Sequence, residues 1–250
     1  MHGCQPIGAP KPRFQDGTVI PIRDNNPGRS FPIVTLVLIA ANVLAFLKEL
    51  QLEAVGDRFA LQSLMMVPAE VSSGRDLPPV PAPLSMPILT VFTSMFLHAG
   101  WLHLIGNMLY LWIFGDNVED MMGHFRFLLF YLLCGVAAAM THVASNPHSQ
   151  VPTLGASGAV SGVLGAYMLL FPWAGVQVLM LLGLFSRVIV VPAWVMLGLW
   201  FLLQVVNSSA SAGGGGGVAY FAHIGGFIAG ALLVWLFRKP TQRRRAYWYY

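Results

Sequence analysis

The fold class predicted by this sequence is an all-α membrane protein with a bundle of six transmembrane helices, and three observations predict it. Hydrophobic residues make up 56% of the chain and charged residues 10%, whereas soluble domains carry about 25% charged residues. Apolar segments of near-spanning length recur between polar turns. Lys and Arg gather outside those segments: Lys11, Arg13, Arg23 and Arg29 before the first, and Arg238, Lys239, Arg243, Arg244 and Arg245 after the last.

Residues 1–30 are rich in Pro, Gly and Asn and hold no apolar stretch, so they read as a polar basic tail without a cleavable signal. Phe31 to Leu50 is charge-free until Lys48 and forms the first predicted span. Residues 51–89 then read as a large extramembrane loop, with a short amphipathic piece around Asp57 to Met66 and five prolines between Pro78 and Pro87. The apolar run from Leu89 to Phe114 is too long for one simple span. It divides into a re-entrant or interfacial piece, Val91 to Ala99, and span two, Trp101 to Phe114 with its flanks.

Asp116 to Gly123 reads as a short acidic turn, Phe125 to Ser145 as span three, and Asn146 to Thr153 as a second polar turn. Span four is Gly155 to Phe171, closed by Pro172. Val176 to Phe185 is short and lacks polar flanks, so it is expected to lie as a connector at the interface. Arg187 to Val206 is span five, Asn207 to Gly217 a glycine-rich loop, and Val218 to Phe237 span six. Residues 31–238 thus form one membrane domain and 239–250 a basic, aromatic tail. With six spans and two basic tails, the positive-inside rule puts both termini in the cytoplasm; the expected location is the bacterial inner membrane.

Chemistry-capable side chains inside the predicted spans are few: His98, His103, Asn107, Thr141, His142, Ser157, Ser161, Gln204 and His223. Intramembrane polar groups of this kind face the protein interior and mark functional sites. The sequence LGASGAVSG sets Ser157 among residues with almost no side chain, as either a nucleophile or a close helix contact requires. Gly158, Gly162 and Ala166 repeat every fourth position, as do Ala222, Gly226 and Gly230 in span six. Two such stripes facing each other bring backbones together, and with them Ser157 and His223, the requirement for a hydroxyl activated by an imidazole. His103 and Asn107 are four apart and share a helix face. His103, Asn107, Ser157 and His223 all fall within about two turns of the start of their spans, roughly 5 to 10 Å deep. Apart from Glu49 in the last turn of span one, no acid falls within a predicted span, so such a site is a dyad; Tyr220 or Phe221 is a candidate to steady the imidazole.

The segments FLHAGWLHLIGNMLYLWIFGDNVED, GASG and AHIGGFIAG, in this order, resemble the rhomboid family of intramembrane serine proteases. The resemblance implies a rhomboid-type bundle, Ser157 as nucleophile, His223 as general base, and His103, Asn107 and the Ser157 N–H as oxyanion donors. Gly155, Gly158, Gly162, Gly226 and Gly230 are the packing glycines near the site. Two features depart from some members: no Trp-Arg pair lies between Gln51 and Met95, and Ser161 stands where a tyrosine stacks on the histidine. The expected partners are transmembrane segments of other membrane proteins, within a lipid bilayer. Neither cofactor, metal nor nucleic acid is expected: there is no HExxH, and the basic residues sit in the tails rather than on one aromatic-lined face. The rival readings are a rhomboid-like chaperone or sorting factor that binds such segments without cutting them, a transporter, and a histidine-based metalloprotease.

Overall fold

The structure, a computed structural model, describes residues 18–77, 86–182, 185–210 and 218–239. Expectations for residues 1–17, for the proline-rich stretch 78–85, for residues 211–217 of the glycine-rich loop and for the tail 240–250 lie outside the described residues.

Chain order is β1 (Thr18–Asp24), α1 (Ile33–Ala54), α2 (Arg58–Ser63), α3 (Pro68–Ser73), α4 (Thr90–Thr93), α5 (Trp101–Met122), α6 (His124–Ser145), α7 (Ser157–Leu170), β2 (Gly175–Leu182), β3 (Phe185–Pro192), α8 (Ala193–Ala210) and α9 (Tyr220–Phe237). Three described helices, α1, α6 and α9, are long and apolar enough to cross a membrane on their own. A fourth crossing is the pair Pro87–Phe96 and Trp101–Met122, bent by 80° at its break, where a re-entrant piece was expected. The other two apolar helices, α7 and α8, are shorter than this measure, so length and composition give three or four spans rather than six. At 1.5 Å per residue the 14-residue α7 reaches about 21 Å, short of a ~30 Å hydrocarbon core. It is tolerated because it is the central helix, with almost every residue from Gly158 to Tyr167 buried by neighbouring elements. Outer helices instead expose leucines, such as Leu102 (79%) and Leu236 (76%), as lipid-facing surfaces do.

The all-α expectation is corrected by a three-stranded antiparallel sheet of order β1-β2-β3. Three readings change with it. Residues 18–24 of the supposed tail form an edge strand, the supposed interfacial connector is β2, and Arg187–Pro192 of supposed span five is β3. The run VQVLM alternates in its burial: Val176 and Val178 are fully buried, while Gln177 turns outward to bond Asn25, the period of two that marks a strand. SRVIVVP is β-branched and ends in Pro192, where a helix interior is disfavoured; α8 starts immediately after it. Its far end runs to Ala210, four residues into the expected loop.

The acidic turn is also corrected. Asp116, Glu119 and Asp120 lie on the last turns of α5, and the break to α6 is the single residue Gly123, whose φ of 82° is accessible to glycine without strain. Glu119, fully buried, accepts from the N–H groups of Val34 and Thr35 and from the Thr35 hydroxyl at 2.7–2.8 Å, and pairs with His124 Nδ1 at 2.6 Å. Pro32 provides no side-chain cap for α1, so a carboxylate from α5 caps the orphan N–H groups instead. One side chain thereby ties α1, α5 and α6 at the same end of the bundle.

At that end Asp24 of β1 accepts hydrogen bonds from Tyr167 of α7 and, at 3.0 Å, from Asn117 of α5. Burial pushes the Asp24 carboxyl up from 3.8 to about 6, the bond from Tyr167 opposing and nearby Asp116 reinforcing the shift. The folded state therefore holds this proton more tightly than the unfolded chain does. The stability this contributes is present below about pH 4 and lost as pH rises through about 6. Hydrogen exchange at the β1–β2 amides, corrected for intrinsic rates, is expected to show opening becoming easier between pH 4 and 6 and level above. Asp24→Asn removes this trend; an unchanged trend would assign it to another carboxylate.

Candidate active site

The site begins at Gly155. Its φ of 132° lies where a side chain is strained, and its N–H donates to the Ser94 carbonyl at 2.8 Å. A Cβ here would stand 2.9 Å from His103 Nε2 and 3.5 Å from Ser157 Oγ. Glycine thus keeps open the gap between the imidazole and the hydroxyl. Two residues later Ser157 opens α7, half-buried, with its side chain facing α9.

The two small-residue stripes face each other as the sequence predicts. A Cβ on Gly226 would run into the Gly158 carbonyl oxygen, one on Gly230 into the Gly162 carbonyl oxygen, and one on Gly165 into the Phe227 carbonyl oxygen. Backbones of α7 and α9 therefore touch over two turns, with no side chain between them. Helix α6 closes the third side: a Cβ on Gly158 would lie 2.6 Å from Ala138 Cβ. At the open end of this contact Ser157 Oγ lies 2.8 Å from His223 Nε2.

The other nitrogen of that ring has a partner that was not assigned from sequence. His223 Nδ1 lies 2.8 Å from Gln204 Oε1 on α8, and the Trp200 ring leans over the imidazole at 5.9 Å and 34°. Tyr220 stands edge-on at 6.5 Å, so the expectation that Tyr220 or Phe221 steadies the ring gives way to Gln204 and Trp200. These two, like His103 and Asn107, are one helical turn apart. That i, i+4 pair in an otherwise apolar helix was the available signal.

His103 sits beside Gly155. Its Nδ1 accepts from the Ala99 N–H at 3.3 Å, which leaves the proton on Nε2, the nitrogen nearest the gap. Asn107 is buried, and its Nδ2 has no acceptor among the described residues. Buried amides are ordinarily hydrogen-bonded; Asn42 Oδ1 is the other buried amide atom without a partner among the described residues. Ser161, Thr141 and one nitrogen of His142 bond elsewhere. Ser161 donates to the Ser157 carbonyl at 2.6 Å, Thr141 to the Ala137 carbonyl at 2.8 Å, and His142 Nε2 lies 3.2 Å from the Thr153 hydroxyl. The His98 backbone N–H donates to the Glu49 carboxylate at 3.1 Å, while its ring packs on His103 at 5.1 Å with neither ring nitrogen hydrogen-bonded among the described residues. Among the described residues no three His, Cys, Asp or Glu side chains converge as a metal site would require. A small pocket lined by Met66, Met95, Gly135, Ala138, Gly158 and Ala222 opens beside Ser157.

Residues 87–240 match the family model described as Rhomboid domain. The chain belongs to the rhomboid family. It is 33% identical over 162 residues to "Rhomboid protein 1, mitochondrial" of Saccharomyces cerevisiae, an alignment covering 63% of this chain and 44% of that protein. It is 32% identical over 151 residues to "Rhomboid-like protein 11, chloroplastic" of Arabidopsis thaliana (59% and 51%). To "Rhomboid protease GluP" of Bacillus subtilis it is 36% identical over 140 residues (56% and 24%). The chain spans about half or less of the length of these relatives. This rhomboid is an integral membrane protein, but relatives from mitochondria and chloroplasts stand beside the bacterial ones. The family thus gives no support to the expected bacterial inner membrane.

Because Gly226 and Gly230 face carbonyl oxygens, Gly226→Ala and Gly230→Ala are each expected to cost about 1–3 kcal/mol, the usual penalty of overpacking. Gly198 on α8 has open space around it, so Gly198→Ala should be neutral or stabilising. Thermal unfolding in detergent micelles compares the three; equal melting temperatures would mean that α7 and α9 do not touch in this way.

Proposed function

We propose that this rhomboid is an intramembrane serine endopeptidase that cuts transmembrane segments of other membrane proteins with a Ser157–His223 dyad. The observation that carries this reading is the 2.8 Å approach of Ser157 Oγ to His223 Nε2 across helices whose backbones are in contact. Relatives named as rhomboid proteases, among them GluP, support it.

In the proposed mechanism the Ser157 oxygen attacks the scissile carbonyl carbon while its proton moves to His223 Nε2. The carbonyl oxygen becomes the oxyanion, with His103 Nε2–H, the idle Asn107 Nδ2 and the Ser157 N–H as its donors. Collapse of the tetrahedral intermediate returns the proton from Nε2 to the leaving amine nitrogen, and water repeats the sequence on the acyl-enzyme. The pocket beside Ser157 is small, and its lining adds Val91, Leu154 and two methionines to several alanines and glycines, which suits a small apolar side chain at the cut. A helix hides its carbonyls in its own hydrogen bonds, so substrates are segments that unwind readily. With α7 too short to cross alone and Ser157 at its first residue, the site lies below one membrane surface. In this reading the basic tails lie in the cytoplasm and the site opens toward the opposite face.

Ser157→Ala and His223→Ala are each expected to abolish cleavage of a single-span substrate in proteoliposomes, and the double variant to be no worse than either, since the pair acts as a unit. Cleavage by purified Ser157→Ala would overturn the dyad mechanism. Ser161→Ala should retain activity. Asn107→Ala is expected to lower turnover per folded enzyme about 10²- to 10³-fold, the usual effect of losing an oxyanion donor, with little change in melting temperature. A lowered melting temperature with normal turnover would make Asn107 a packing residue.

A further inference from the structure

The dyad lacks a carboxylate: among the described residues, His223 has no Asp or Glu hydrogen-bonded to its ring, and its Nδ1 partner is an amide. An amide has a donor end and an acceptor end, so alone it would leave the imidazole tautomer undetermined. Gln204 resolves this through its own second contact. Its Nε2 donates to the Trp200 carbonyl, one turn back on α8, at 3.3 Å. Turning the amide over would set Oε1 against that carbonyl oxygen, acceptor against acceptor. The Trp200 carbonyl therefore holds Oε1 toward His223, which requires the proton on Nδ1 and leaves the Nε2 lone pair facing the Ser157 hydroxyl. Gln204 is buried, 8% exposed, which limits competition from water for either contact, and Trp200 covers the ring from one side.

We propose that Gln204 is the positioning residue of the dyad, fixing the imidazole in its base-competent tautomer through a relay from the Trp200 carbonyl to His223. This rests on the protease reading above. As the proton passes from Ser157 Oγ to His223 Nε2 and on to the leaving amine, the Nδ1 proton stays bonded to Gln204 Oε1 throughout. A neutral acceptor stabilises the imidazolium less than a carboxylate does. The other ionisable side chains around His223 are His103 on α5, His142 on α6 and Tyr220 on its own helix.

The test compares wild type, Gln204→Leu, Gln204→Glu and Ser157→Ala on an internally quenched single-span peptide with Ala and Gly at the cut. Rates are taken per folded enzyme from pH 5 to 9. Gln204→Leu keeps the volume and removes the acceptor. It is expected to lose about 10- to 100-fold in kcat, part of the 10²- to 10⁴-fold that general-base catalysis supplies, with KM little changed, and to move the acidic limb of the profile to lower pH. Gln204→Glu restores an acceptor oxygen, so it is expected to recover most of the turnover and, with a charged partner for the imidazolium, to move the acidic limb to higher pH. Wild-type kcat and an unmoved limb in Gln204→Leu would overturn the proposal, as would a Gln204→Glu enzyme no better than Gln204→Leu. In both cases an inert Ser157→Ala leaves the dyad standing, whereas cleavage by Ser157→Ala overturns dyad and proposal together.

Discussion

Everything functional in this protein hangs on the contact between the backbones of α7 and α9. Gly226 against the Gly158 carbonyl and Gly230 against the Gly162 carbonyl leave room for no side chain. Between apolar helices in lipid there is little hydrophobic drive to associate, so such close van der Waals packing is what holds them. The 2.8 Å separation of Ser157 and His223 goes with this contact: a methyl group on Gly226 or Gly230 would clash with a backbone carbonyl of α7 and force a shift.

The two ends of the bundle divide the remaining work. At one end, polar groups are fully engaged: Glu119 caps α1 and meets His124, Asp24 ties β1 to Tyr167 and Asn117, and the Lys239 N–H reaches the Met121 carbonyl at 2.9 Å. At the other, Gly155 keeps a gap open and Asn107 Nδ2 stays without an acceptor among the described residues. An unsatisfied buried donor costs free energy, and it is maintained here because the opposite end and the glycine contact over-determine the helix positions.

Much of this was legible in the sequence because it follows from spacing. Glycines every fourth residue predict a smooth stripe, and the backbones of α7 and α9 meet along it; His103 and Asn107, four apart, predict a shared face. What was not legible depends on partners distant in the chain. Between Val176 and Val191 only Gln177, Ser186 and Arg187 are polar, so the strand period is weakly marked, and β1 can be recognised only through pairing with β2, more than 150 residues later. Asp116, Glu119 and Asp120 read as a turn because acids are costly in lipid, yet Glu119 is buried against the α1 N-terminus, where a carboxylate is welcome. Gln204 was visible as a polar residue in an apolar helix. Its alignment with His223 depends on how α8 packs on α9, which no local pattern specifies.

The central claim is that the packing of α7 on α9 sets one serine hydroxyl against one imidazole, which makes that hydroxyl nucleophilic. It is tested most directly by treating the intact protein in micelles with a fluorophosphonate and mapping the adduct by tandem mass spectrometry. The account predicts a single adduct, on Ser157, absent when His223 is replaced by Ala, with Ser94 and Ser161 unmodified. An active protein that carries no adduct on Ser157, or carries one on another serine, would contradict it.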